Sequence, residues 1–415
     1  MIHPHSPTID PAKLAKLAHT AVHVGVELKP GQELIIAAPL EAAPLVRLVT
    51  AEAYKAGASL VTTFYADEEA ALLRFQHGQD ASFDAAAGWL YNGMAEAYKA
   101  GAARLSIVGD NPFLLNGQDP ARVMRAGKAR SIAAKPAMEY ITSLAIPWSI
   151  VAYPTRAWAK TMFPSDEEAS AVHKLAEAIF ATSRVNGSDP AADWKTHSAN
   201  LATRRDWLNA RNFHALRFMG PDTDLTVGLA DGHKWQGGAS TTRLGGTCNA
   251  NIPTEEVFTT PHSHRVDGHV RSTKPLSCNG TLIEDIRVTF QNGKIVHASA
   301  AKGEAVFKKL IETDEGAARL GEVALVPHSS PISQSGLVFY ETLFDENAAC
   351  HIALGQCYTE CFTEADITED AATQRGGNQS LIHVDWMIGS GQVNIDGLHA
   401  DGTTVPVMRN GEWAF

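Results

Sequence analysis

Ala51-Glu-Ala-Tyr-Lys-Ala-Gly57 recurs letter for letter as Ala95-Glu-Ala-Tyr-Lys-Ala-Gly101. Each copy closes a helical stretch on glycine, the residue that takes the left-handed conformation of a helix end at least steric cost. An apolar run follows each copy, Leu60 to Tyr65 and Leu105 to Val108, with the length and composition of a buried strand. The repeat therefore marks two helix-to-strand returns, the signature of an α/β domain with an open, largely parallel sheet.

Reading outward from the repeat extends that pattern. Asp10-Pro11 supplies a helix cap and a proline at the first helical position, and Leu14, Leu17, Ala18, Val22 and Val26 share one face of a helix of about five turns. Lys29-Pro30-Gly31 turns the chain into the apolar run Glu33 to Ala37, and a new helix starts after Pro39. Downstream, a helix over Ala121 to Tyr140 precedes a strand from Trp148 to Tyr153, and helices follow over Ser165 to Ser183 and Ala191 to Asn212. The predicted boundary lies in that last helix: an α/β domain over 1–190 and a second domain over 191–415.

Beyond Asn212 the signals change to short strands, such as Leu216 to Met219 and Leu225 to Leu229. Asn292-Gly293 and Asn410-Gly411 carry the positive-φ pair of tight hairpins. The second half is thus expected to be α+β and mainly antiparallel, with helices near Gly303 to Thr313 and after Phe344.

The whole chain has 415 residues, 45% hydrophobic and 20% charged, enough to bury a large core. With 35 basic against 46 acidic residues, formally −11, a nucleic-acid partner is not expected, whereas a cationic or small substrate is. No apolar run approaches a membrane span, and Met1-Ile-His-Pro-His lacks the basic head and apolar run of a signal peptide. Five cysteines without Cys-x-x-Cys spacing argue for reduced thiols and against a zinc knot. The expectation is a cytoplasmic protein.

Glycine-rich nucleotide loops, the Gly-x-Ser-x-Gly elbow and His-Glu-x-x-His are absent. What the second half offers instead is carboxylates and imidazoles in apolar surroundings. His383 and Asp385 stand two apart in Leu381 to Ile388, so a strand points both the same way while Ile382, Val384 and Trp386 pack behind. Glu322 precedes Val323 to Val326 and reads as the start of a core strand. Of the neighbours Glu255 and Glu256, strand alternation turns only one inward. Tyr358 follows His351 by seven residues, about two helical turns, so a helix would place them on one face. Together these residues supply two imidazoles and at least three carboxylates, a donor mixture suited to two adjacent divalent ions such as zinc, cobalt or manganese, and hence to hydrolysis. Less is expected of His3 and His5, of His262-Ser-His264 as a polar loop, of the cysteines as core residues, or of the paired glycines as turns.

These segments resemble a known family. Asn251 to Thr259, Leu320 to Pro327 with Ser330-Pro-Ile332, Thr342 to Ala348 followed by His351, and the His383-x-Asp385 strand are similar to the thermophilic aminopeptidases. These are the metalloexopeptidases of the aminopeptidase T, aminopeptidase S and PepS type. Leu28 to Leu34 and Glu41 to Val46 resemble the same family's opening. The resemblance implies two divalent metal ions per chain, with Glu256, Glu322, His351, His383 and Asp385 as ligands. It implies Glu346 as ligand or proton carrier, Tyr358 as donor to the oxyanion, and Glu322 or Glu346 as the group that moves the proton. It further implies peptide substrates with a free N-terminus and a homodimer.

A rival keeps one metal. His351, His383 and Asp385 alone would make the two-histidine, one-carboxylate triad of a non-haem iron enzyme, and dihydroxypyridine ring-cleaving dioxygenases are distantly similar to this family. That chemistry leaves Glu256 and Glu322 without a task.

Overall fold

The computed structural model describes residues 8–278, 281–364 and 367–415; His3 and His5 lie outside them. The chain forms two compact units, the first running through Thr196 and including Ala239–Pro253, the second comprising His197–Gly238 and Thr254–Phe415.

In the first unit, the described residues form a four-stranded parallel sheet in the order Leu60–Ala66, Glu33–Pro39, Ala103–Val108, Trp148–Ala152. Each strand follows from its apolar run: Leu34, Ile36 and Leu105 are fully buried. The two heptapeptide copies end their helices identically. Gly57 and Gly101 take φ of 93° and 95°. Ala58 N–H donates to Ala53 O at 2.9 Å and Ala102 N–H to Ala97 O at 3.0 Å, which satisfies carbonyls that a helix end leaves open. Asp10 caps the first helix, accepting from Ala12 N–H at 2.8 Å. That helix, Pro11–Thr20, continues into a wider turn over Ala21–Gly25, about four turns in all rather than five. Segment 239–253 returns beside the sheet, with Asn251 bridged in parallel to Ile150.

The second unit is mainly antiparallel. One sheet runs Lys294–Ser299, Arg287–Gln291, Pro261–Arg271, Thr223–Leu229, Ala215–Gly220, Asn394–Leu398, Thr404–Arg409, Glu412–Trp413. His262 and His264 lie in its strand Pro261–Arg271 rather than in a loop. A four-stranded sheet positions the site: His383–Met387, His351–Gly355, Leu320–Leu325, Val257–Thr259. Its back face carries Val323, Leu325, Ile352, Leu354 and Trp386, all in the core, with Val384 against it. Each large apolar side chain buried there stabilises the fold by roughly 1.5–3 kcal/mol, which makes the sheet a rigid platform.

Candidate metal centre

The front face of that sheet is built by register. Glu322 lies opposite Ala353, which lies opposite Asp385; one row along, Ala324 pairs with His351, and Gly355 pairs with His383. Charged donors thus share a face with alanine and glycine, whose small side chains leave room between them. Glu322 reaches this face because of a bulge: Leu320 pairs with Leu354 on the core side, then the register shifts before Glu322. Gly321 is the extra residue, and a Cβ there would collide with the carbonyl oxygens of Gly355 and Gln356. The bulge turns Glu322 away from Leu320's side of the sheet.

Three sequence expectations change here. Glu322 is a buried mid-strand residue, not a strand start. His351 opens a strand, because the helical segment ends at Ala348, so no helix face relates it to Tyr358, which lies beyond the strand. Glu255 and Glu256 are both buried, because they precede the strand at Val257 and escape its alternation. Their destinations differ: Glu255 Oε2 lies 3.7 Å from His197 Nε2, while Glu256 Oε2 lies 3.1 Å from His351 Nε2.

Glu322 stands between the two imidazoles. Its Oε1 is 3.5 Å from His351 Nε2 and its Oε2 is 3.5 Å from His383 Nε2. Asp385 Oδ1 completes the row at 3.4 Å from His383 Nε2. The donors form two triads, Glu256–Glu322–His351 and Glu322–His383–Asp385, each with its donor atoms within 4.8 Å of one another. Glu322 belongs to both. His351 Nδ1 lies 3.2 Å from Ala349 O and His383 Nδ1 2.7 Å from Gln356 O, contacts only an N–H can make, so both Nε2 atoms face the carboxylates.

Burial works against the charges of Glu322, Glu346, His351, His383 and Asp385. It pushes Glu322 up to about 7, with Asp385 and Glu256 adding to the rise and the His351 hydrogen bond opposing it. Glu346 rises well above the usual carboxylate range by burial and then by its acidic neighbours. Burial also disfavours charged imidazoles, but hydrogen bonds to Glu256 and Glu322 outweigh it at His351. Asp385 does the same at His383, which reaches about 9. Asp385 itself is held low: burial opposes this, but the His383 charge prevails.

Tyr358 packs its ring 4.7 Å from that of His383. Two neighbours escape sequence reasoning. Asn347, fully buried, accepts from Glu255 N–H at 2.7 Å and donates to Glu346 Oε1 at 3.3 Å; an Asn beside a Glu looks in sequence like any polar turn. Glu360, in the turn Thr359–Cys361, is pushed up to about 8 by burial and the Glu322 charge; its spacing of two from Tyr358 was the one available hint.

Known proteins bear on this arrangement. Residues 10–413 match the family described as thermophilic metalloprotease (M29). Aminopeptidase T of Thermus thermophilus is 52% identical over 400 residues, covering 96% of this chain and 98% of that protein. The structure of wild-type AmpT from Thermus thermophilus matches with a TM-score of 0.92 at 50% identity, over 97% of this chain and 99% of that one. A 2,5-dihydroxypyridine dioxygenase from Pseudomonas putida KT2440 matches over 99% and 98% of the two chains, at a TM-score of 0.50 and 11% identity, a likeness of fold alone. Since the match runs almost from end to end and more than half the residues are identical to those of a relative, the chain belongs to the thermophilic metalloprotease family (M29).

Proposed function

We propose that this chain is a metal-dependent aminopeptidase, cleaving the first peptide bond of peptides with a free N-terminus at the centre built around Glu322. The observation that carries the proposal is the sharing of Glu322 between two donor triads. The donor set fits divalent cations. Among the described residues, the only cationic groups within 4.0 Å of Glu256, Glu322 and Asp385 are the two imidazoles. Glu322 and His383 have a raised affinity for protons, and divalent ions can take the place of those protons. Imidazole and carboxylate together select zinc, cobalt or manganese over calcium. In this proposal Glu256, Glu322, His351, His383 and Asp385 hold two ions, and the chains pair as a homodimer.

Bound ions of this kind polarise a carbonyl and lower the pKa of water. The chain's own residues supply the rest. Glu346, oriented by Asn347, takes a proton from water as an ionised carboxylate and passes it to the leaving amine, and burial raises its proton affinity for that task. Tyr358, beside His383, donates its hydroxyl hydrogen to the oxyanion; burial and the carboxylates keep it protonated. The chain's net charge of −11 favours the approach of the substrate's ammonium terminus, and its free amine is held by a metal or a nearby carboxylate.

Titrating chelator-stripped protein with zinc, cobalt or manganese tests the proposal. Release of leucine from a chromogenic amide is expected to rise with metal and saturate once about two ions fill the centre. One iron per chain with oxygen uptake on a dihydroxypyridine, and no amide hydrolysis, would favour the mononuclear reading instead.

A further inference from the structure

A second donor cluster lies in the first unit, and neither the family resemblance nor the centre around Glu322 uses it. His19 and His23 stand four apart on the continuous helical stretch from Pro11 to Gly25, a spacing that puts two side chains on one face. Their rings are 4.2 Å apart between centroids. Helix Ala43–Lys55 packs against this stretch and brings Glu52 to both rings. Glu52 Oε1 lies 3.0 Å from His19 Nδ1 and 3.2 Å from His23 Nε2.

We propose that His19, His23 and Glu52 form a separate binding site for a zinc-like divalent ion. Two helical imidazoles four residues apart are a recurrent zinc-binding pair, and a third ligand from a neighbouring element closes the set. All three donor atoms fall within 4.8 Å of one another. Ligands bonded to one zinc at about 2.0–2.2 Å stand only slightly over 3 Å apart, so little rearrangement separates the observed cluster from a bound one. Solvent reaches the site: the side chains of His19, His23 and Glu52 are 48%, 36% and 21% exposed, which gives an entry path and leaves the fourth position to water. The imidazoles exclude calcium and magnesium as preferred ions. One feature competes: Lys55 Nζ lies 3.3 Å from Glu52 Oε2, but it is well exposed and uses the other oxygen. An ion here ties the first helix to helix Ala43–Lys55.

Zinc alone is the probe. Full-length protein is stripped with chelator, equilibrated at buffered free zinc, and its bound zinc counted by mass spectrometry of the metal. Wild type is expected to retain about one equivalent more than H19Q/H23Q, with peptidase activity the same in both. E52Q, which keeps the side-chain volume, is expected to weaken the extra equivalent at least about tenfold. Should the double variant not fold, H19Q alone decides, because His19 is the most exposed of the three. Equal zinc in wild type and H19Q/H23Q, or in wild type and H19Q alone, at every level of buffered free zinc would overturn the proposal. So would loss of zinc together with activity, since the residues would then act on the Glu322 centre.

Discussion

Glu322 offers one oxygen to each imidazole, and both triads depend on it. Glu322→Gln keeps the volume and removes the charge, so turnover is expected to vanish while the protein still folds. Activity within about threefold of wild type in a steady-state assay would remove Glu322 from the centre. Tyr358→Phe is expected to lower kcat about 10²–10³-fold with little change in KM, because a hydrogen bond made chiefly in the transition state affects the rate and not binding. The metal-free cluster also predicts a pH dependence. At neutral pH His383, near 9, holds its proton and Glu322, near 7, is about half protonated, whereas metal ligands must be a neutral imidazole and an ionised carboxylate. Metal binding therefore displaces protons, and zinc affinity of the stripped enzyme is expected to rise roughly tenfold per pH unit for each proton released between pH 6 and 9. Calorimetry showing a flat profile would contradict this protonation pattern. At this scale His383 and Asp385 were legible, because a period of two makes a shared face explicit. Glu255 and Glu256 were not, since alternation applies only inside a strand and theirs begins at Val257.

The sheet of four strands separates a core face from a charged face, and the bulge at Gly321 decides which one receives Glu322. Gly321→Ala would force a Cβ against two carbonyl oxygens. It is expected to destabilise the protein by about 1–3 kcal/mol in urea unfolding and to weaken metal binding in parallel. An unchanged midpoint with full metal content would show that the bulge does not position Glu322. The bulge also explains why the strand was misread: Leu320-Gly-Glu322 looks like a turn leading into an apolar run, and only the pairing partner reveals the extra residue. His351 was misread for a related reason. The helical turns over Thr342–Ala348 run straight up to the strand, and two intervening residues give too little warning of the change.

At the level of the whole chain, the helix-to-strand returns after Gly57 and Gly101 and the Asn-Gly hairpins were visible in the residues, because each depends on local backbone chemistry. The return of Ala239–Pro253 to the first unit was not, since a pairing such as Ile150 with Asn251 spans about a hundred residues and leaves no local signal. The central claim is that this charged platform serves an exopeptidase. In a chain of net charge −11, recognition of a free amino terminus is the property that separates it from a metal endopeptidase. The most direct measurement compares a leucyl peptide with its N-acetylated twin at equal concentration, following the products by mass. Acetylation removes the positive charge and adds bulk where the terminus should sit, so only the free peptide is expected to lose its first residue. Comparable cleavage of both would contradict the aminopeptidase assignment.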